Sequence, residues 1–118
     1  MISLTLLLKT NRLLNQETLE EIDTIVLIGD RVSAYFNLTY DEIKSKSRKR
    51  HIVYPRQLIH YFLWETAKFS LETIGNNVGG KSHCTVMYSR DVIYELLDSN
   101  IEVRYDVMEL TRKLKKYL

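Results

Sequence analysis

The stretch SLETIGNNVGGKSHCTV, residues 70–86, decides the fold. Ser70 can cap a short helix, because a serine side chain accepts a hydrogen bond from a free N–H group of the first turn. One face of that helix is apolar and is formed by Leu71, Ile74 and Val78. Gly79 and Gly80 break the helix, and Ser82 can cap a longer one. A short helix, a tight glycine turn and a longer helix are the outline of a helix-turn-helix.

The same letters satisfy the phosphate-loop pattern G-x-x-x-x-G-K-[ST] at residues 75–82. A phosphate loop that binds a nucleotide follows a strand and precedes a helix. Here a short amphipathic helix comes first, and no alternation of strands and helices follows. Residues 25–30 are the one stretch that resembles a metal-binding strand end, and they precede the loop, whereas in a nucleotide-binding protein such a strand would follow it. We therefore interpret the match as accidental and predict no nucleotide cofactor. Because no acid pair lies near a nucleophile, we also predict no enzyme.

Outward from this stretch, the pattern predicts one all-α domain of five or six helices. The chain has 118 residues, 45% of them hydrophobic and 27% charged, which suits a single globular core. A capping box that starts at Thr18 predicts a helix at about 19–37, and Thr39 starts a second box and a short helical turn. The run at 25–28 could instead be a buried strand. Pro55 predicts the start of the next helix, since the first helical position needs no N–H group.

The longer helix after Ser82 should bury Val86, Ile93, Leu96 and Leu97, and a last helix is expected at about 101–117. The inner face of that last helix should carry the apolar residues Val103, Val107, Leu110 and Leu114. His60 is expected at the surface or partly buried. The eight tyrosines fall mostly at helical spacing or near helix ends, which favours packing over a platform for stacked single-stranded bases.

Residues 1–17 are interpreted as an N-terminal extension, with a helix as one option, ahead of a domain at 18–118. The apolar run in this extension is too short to span a bilayer, and it lacks the charge and cleavage site of a signal peptide. The one cysteine, Cys84, excludes an internal disulfide and suits a reducing compartment. These features predict a cytoplasmic protein with no membrane partner.

Positive charge is concentrated in one short segment, although the net charge is only +2. Six of the seventeen Lys and Arg residues lie between positions 44 and 56, with no acid among them: Lys44, Lys46, Arg48, Lys49, Arg50 and Arg56. Such a local cluster indicates a polyanionic partner. A second cluster at residues 112–116 is better explained as cations that stabilise the end of a helix.

The tip of the longer helix carries polar residues that can meet base edges in the major groove. These residues are Lys81, Ser82, His83, Cys84 and Thr85. A metal site at His83 and Cys84 is not expected, because adjacent helical residues point about 100° apart and no second His/Cys pair exists at metal spacing.

Three ordered motifs now resemble one family. The runs SKSRKRHIVYPRQ (45–57), SLETIG (70–75) and GGKSHCTV (79–86) closely resemble the C-terminal DNA-binding domain of DnaA, the bacterial replication initiator. The resemblance covers roughly residues 18–116. It implies a domain that binds double-stranded DNA at nine-base-pair sites of the type TTATNCACA, in replication initiation or its regulation.

The resemblance also implies roles for individual residues. Arg48 stands where the family inserts an arginine into the minor groove, flanked here by Lys46 and Arg50. Arg56 and Gln57 stand where the family contacts phosphate. The run at residues 82–85 replaces the family's Asp-His-Thr-Thr, so that Ser82 and Cys84 depart from the family, as Trp64 does elsewhere. These departures leave the preferred bases open.

Two further questions stay open from the residues alone. The family carries a nucleotide-hydrolysing domain ahead of this one, and at most 17 residues precede the shared region here. We therefore expect either a stand-alone protein, such as one of a phage or mobile element, or an excised domain. We expect a monomer. The alternative function is a helical protein-interaction adaptor that docks through the apolar residues Leu4, Leu6, Leu7 and Leu8 and contacts DNA only secondarily.

Overall fold

The computed structural model describes the backbone of residues 16–115 and the side chains of residues 20–115. This part of the chain forms six α-helices and no strand, which confirms the all-α prediction. The helices are α1 (Gln16–Tyr35), α2 (Tyr40–Lys44), α3 (Arg50–Glu65), α4 (Leu71–Asn77), α5 (His83–Ser99) and α6 (Ile101–Leu114).

Helix α3 lies at the centre of the fold and packs against α1, α2, α4 and α5, whereas α6 packs against α5 and α1. Its apolar residues recur at spacings of three and four and are fully buried: Leu58, Ile59, Phe62 and Leu63. Each such side chain contributes roughly 1.5–3 kcal/mol when it leaves water. Most of the predicted inner residues of the last two helices are buried as well: Val86, Ile93, Val103, Val107, Leu110 and Leu114. Leu96 and Leu97 are only half-buried, at the edge of the core.

Four helices begin at side chains that accept hydrogen bonds from free N–H groups. Thr39, Ser70 and Ser82 cap α2, α4 and α5, as the sequence predicts. Asn100, which the sequence marked only as an interruption, caps α6 by accepting from the N–H groups of Glu102 and Val103. Each cap stabilises its helix by about 1 kcal/mol.

The first helix differs from its prediction. Helix α1 already includes Gln16 and ends at Tyr35, so the Thr18 box lies inside it and does not start it. The predicted boundary at residues 17 and 18 falls within α1, and residues 1–15 lie outside the described part of the chain. The run at 25–28 is helical, with Ile25 and Ile28 buried and Val26 exposed. The helical spacing of apolar residues decided this run, not its β-branched content.

The predicted start of α3 at Pro55 is also wrong, because α3 begins at Arg50 and Pro55 lies inside it. The carbonyl of Lys49 accepts from the N–H groups of Ile52 and Val53, both at 2.9 Å, and so closes the first turn five residues earlier. Proline then costs the second turn one hydrogen bond, to the carbonyl of His51. His51 is exposed. Water can therefore replace the missing donor at that carbonyl.

Candidate nucleic-acid interface

The turn between α4 and α5 depends on glycine at three positions. Gly79 and Gly80 have φ values of +80° and +61°, the left-handed region that residues with a Cβ disfavour. Gly75 brings the turn back onto α4: the N–H of Lys81 donates to the Gly75 carbonyl at 2.8 Å. A Cβ on Gly75 would lie 2.1 Å from the Lys81 carbonyl oxygen. Both glycines that match the phosphate-loop pattern, Gly75 and Gly80, are therefore explained by this tight turn.

Beyond the turn, the tip of α5 is capped and exposed. The Ser82 hydroxyl accepts from the N–H of Thr85 at 3.2 Å, and the two hydroxyls lie 3.1 Å apart. The four side chains of residues 82–85 are all exposed, whereas Val86 is fully buried and anchors the helix. The tip therefore presents polar side chains and free N–H groups outward. The sulfur of Cys84 lies 3.6 Å from Nε2 of His83.

The segment between α2 and α3, residues 45–49, is named the basic loop here. Its serines bond to the backbone: the Ser45 hydroxyl donates to the Glu42 carbonyl at 2.6 Å and accepts from the N–H of Ser47 at 3.3 Å. The Ser47 hydroxyl accepts from the N–H of Lys49 at 3.2 Å. The cations Lys46, Arg48 and Lys49 are exposed. The alternation of serine and cation thus gives a loop that is ordered within and positively charged outside.

Arg56, on α3, lies behind the basic loop and is only 7% exposed. Its Nε donates to the Ile43 carbonyl at 2.7 Å, and its Nη2 donates to the carbonyls of Ser45 and Ser47 at 2.8 and 3.1 Å. Burial lowers the pKa of Arg56, and the carbonyl oxygens replace part of the hydration that its charge has lost. The structure thus shows a backbone-binding guanidinium at this position, and the phosphate contact expected for Arg56 stays a prediction.

The basic loop and the start of α5 open onto one groove of about 460 Å³. It brings together six of the predicted site residues, namely Lys46, Arg48, Arg56, Gln57, Lys81 and Thr85. Burial and the nearby positive charges of Arg56, Lys46 and Arg48 lower the pKa of Lys81, which shows that these cations converge. A second groove, which shares Arg48 and Gln57 with the first, adds Arg50. Ser82, His83 and Cys84 are exposed at the adjoining tip and line neither groove.

Tyr88 belongs to this surface, although the sequence interpretation assigned tyrosines to packing. It lines both grooves, beside Arg48 and Gln57, and its side chain is 65% exposed. Tyr88 follows Thr85 by three residues, so the two share one face of α5. That spacing is the signal that could have identified it.

His60 lies beneath the interface, in the core. It was expected to be exposed or partly buried, and this expectation is wrong. His60 is fully buried on α3, and its Nδ1 lies 3.0 Å from the hydroxyl of Ser89 on α5. Burial, followed by the charges of Arg56 and Lys81, lowers the pKa of His60 to about 4. His60 is therefore neutral near pH 7 and joins the central helix to the helix that carries the tip.

Cations on α6 make contacts within the fold instead. Nη2 of Arg112 lies 2.8 Å from Oε2 of Glu109, and Nζ of Lys113 lies 5.2 Å from the centre of the Tyr35 ring. Among residues 20–115, no group of three or more His, Cys, Asp or Glu side chains could hold a metal ion. None of the described helices is both long and apolar enough to cross a bilayer. The apolar residues of the adaptor hypothesis, Leu4 and its neighbours, lie outside the described residues.

Comparison with known proteins identifies the same region. The family described as bacterial dnaA protein helix-turn-helix matches residues 25–93, more than half of the chain. The chromosomal replication initiator protein DnaA of Levilactobacillus brevis is 38% identical over 103 residues, which is 87% of this chain and 23% of that protein. DnaA of Lactiplantibacillus plantarum is 39% identical over 92 residues, 78% of this chain and 20% of that protein.

DnaA of Corynebacterium jeikeium is 41% identical over 86 residues, 73% of this chain and 15% of that protein. The chain therefore spans less than a quarter of the length of these curated relatives.

Proposed function

Because the chain belongs to the bacterial DnaA helix-turn-helix family, we propose that it binds double-stranded DNA at DnaA-box-like sites of the type TTATNCACA. The tip of α5 enters the major groove, and the basic loop enters the adjacent minor groove. The protein binds as a monomer and acts in replication initiation or its regulation.

The observation that carries this proposal is the shared groove. Four cationic side chains, Lys46, Arg48, Arg56 and Lys81, line it together with Thr85 of the α5 tip. Burial first, and then repulsion by the like charges of Arg56, Lys46 and Arg48, lowers the pKa of Lys81. A phosphate backbone relieves that repulsion and releases its own condensed counterions, which favours binding.

The cationic residues of this surface would contact two different parts of the DNA, the phosphates and the minor groove. Lys46, Arg50, Gln57 and Lys81 contact phosphates and set the register without reading sequence. Arg48 extends from the basic loop into the minor groove, where A·T-rich DNA has an enhanced negative potential. The free N–H groups at the start of α5 add a partial positive charge toward a phosphate.

The bases are read by the α5 tip. His83 and Thr85 donate or accept hydrogen bonds at base edges, and Cys84 contributes a small side chain that suits a thymine methyl group. Ser82 accepts from the Thr85 N–H and so holds the tip in place, the capping role that an acid could also perform. Because Ser82 keeps this cap, the replacement of the family's acid by serine should change base preference more than helix stability.

A duplex titration tests the proposal. Labelled TTATCCACA duplex and a scrambled duplex of equal composition are titrated with the protein at several salt concentrations. Specific binding should be about 10³-fold or more tighter than binding to the scrambled duplex, with one protein per site. Equal affinity for the two duplexes would contradict the proposal and leave the adaptor function ahead.

A further inference from the structure

The side chain of Arg56 bonds to three backbone carbonyls, two in the basic loop and one at the end of α2. It spans from Ile43 on α2 to Ser47, the middle residue of the loop, with donor–acceptor distances of 2.7–3.1 Å. The carbonyls it bonds alternate along the chain with the exposed cations Lys46 and Arg48. The two bonds to Ser45 and Ser47 therefore fix the backbone next to Lys46 and Arg48 of the proposed DNA surface.

This geometry suits arginine and no other side chain. The guanidinium is a rigid planar fork whose N–H groups can meet several acceptors at once, whereas a lysine ammonium is a single flexible point charge. Two of its three nitrogens already bond to backbone carbonyls: Nε to Ile43 on α2, and Nη2 to Ser45 and Ser47 in the loop. To contact a phosphate with those nitrogens, Arg56 would have to give up these hydrogen bonds, including the buried one to the Ile43 carbonyl.

We infer that Arg56 is a positioning residue, which holds the basic loop so that Arg48 and Lys46 point into the groove, and which acts on DNA through them. The glycine turn supports the same loop from the other side. A Cβ on Gly79 would lie 2.7 Å from the Lys44 carbonyl oxygen, so the base of the loop rests directly on the turn. The loop is thus held between α3 and the turn that carries the α5 tip.

The first test needs no DNA, so it is independent of the proposed function. The loop contains trypsin sites after Lys44, Lys46, Arg48 and Lys49. We expect Arg56→Met and Arg56→Lys to be cut within residues 44–50 about tenfold faster than the wild type, at unchanged helical circular dichroism. Arg112→Met, which removes one charge outside the groove, serves as the matched control and should be cut at the wild-type rate.

Two results of the digest would overturn the inference. Wild-type cutting rates in both Arg56 variants would show that the loop does not depend on Arg56. Cutting throughout the chain with loss of helical dichroism in both variants would show that Arg56 supports the whole core instead of the loop.

The second test rests on the proposed function and uses a double-mutant cycle between Arg56→Met and Arg48→Ala. On the TTATCCACA duplex, Arg48→Ala should weaken binding by about tenfold in the wild type and by less than about twofold in the Arg56→Met background, because the effect of Arg48 depends on the loop backbone that Arg56 holds. Arg56→Lys should weaken binding nearly as much as Arg56→Met. A direct phosphate contact predicts the opposite: additive losses, near-wild-type binding by Arg56→Lys, and a salt slope reduced by about 0.9 in Arg56→Met alone. If the wild type does not prefer the site, the proposed function fails, while the digest still decides the role of Arg56.

Discussion

Replacing Gly79 with alanine should damage the protein more than replacing its neighbour Gly80. Both residues have positive φ, +80° and +61°, so alanine at either position costs roughly 1–2 kcal/mol of backbone strain. The surroundings differ. A Cβ at position 80 meets nothing within 4 Å, whereas at position 79 it would lie 2.7 Å from the Lys44 carbonyl oxygen. Overpacking of this kind costs about 1–3 kcal/mol more.

The expected loss of unfolding free energy is therefore about 1–2 kcal/mol for Gly80→Ala and about 2–5 kcal/mol for Gly79→Ala. Urea unfolding followed by circular dichroism measures both, and each kcal/mol should lower Tm by roughly 4–8 °C in a domain of this size. Gly80→Ala is the matched control, because it carries the strain without the contact. Losses that agree within about 0.5 kcal/mol would refute the claim that the turn and the basic loop are in direct contact.

A DNA-binding assay also tests the contact between position 79 and the Lys44 carbonyl. If Gly79→Ala pushes the Lys44 carbonyl away from the turn, the basic loop and the α5 tip no longer hold their relative position. Preference for TTATCCACA over the scrambled duplex should then fall in Gly79→Ala at temperatures where the variant is still folded, and should be nearly kept in Gly80→Ala. A full preference in folded Gly79→Ala would contradict this coupling.

Three further predictions follow from the surface and its support. Lys81→Met should weaken binding to both duplexes alike and reduce the salt slope by about 1. His83→Ala or Thr85→Ala should mainly reduce the preference for the TTATCCACA duplex over the scrambled one, by about 1–3 kcal/mol. Equal loss of this preference in all three variants would contradict the division between phosphate and base contacts. The pKa of His60 is lowered from 6.5 to about 4, so the folded state favours the neutral imidazole. The contribution of His60 to the free energy of unfolding should therefore be complete above pH 6.5 and fall by on the order of 3 kcal/mol as the pH falls to 4. Urea titrations should show that His60→Gln, if it folds, has a shallower pH dependence in this window, and an unchanged slope would refute a buried neutral His60. Tyr88→Ala should weaken DNA binding several-fold with a Tm close to wild type, because its side chain is 65% exposed; a large drop in Tm with unchanged binding would assign Tyr88 to packing.

Helix positions and caps could be predicted from the sequence because their causes are local. Ser70 and Ser82 each accept from an N–H three residues ahead, and apolar spacing is a property of neighbouring turns. The start of α3 could not be read in this way. Pro55 favours the first position of a helix in general, but the Lys49 carbonyl closes the turn earlier. The carbonyl that loses its donor belongs to His51, which is exposed.

Some features of the candidate site could likewise be predicted from the sequence, and others could not. Exposure of the α5 tip and of the cations in the basic loop follows from polarity, and the family resemblance indicated their positions. The direction of a single long side chain does not follow from either. Arg56 and Arg48 are both cations of the same segment, yet one is buried among backbone carbonyls and the other is exposed. Which of the two turns inward depends on where α2 ends relative to α3, a tertiary relation.

The arrangement around Arg56 and Gly79 also bears on how tightly this surface can bind. A free loop that must become ordered on DNA loses about 1 kcal/mol or more of backbone entropy for each residue fixed. The basic loop has five residues, so its ordering at the moment of binding would cost about 5 kcal/mol. Hydrogen bonds from Arg56 and from the loop's own serines meet that cost during folding instead. An ordered loop also stands in a defined relation to the α5 tip, so the two can meet adjacent grooves in only one register. A variant with a mobile loop should therefore lose affinity for the specific site first, while its charge-driven binding to any duplex persists.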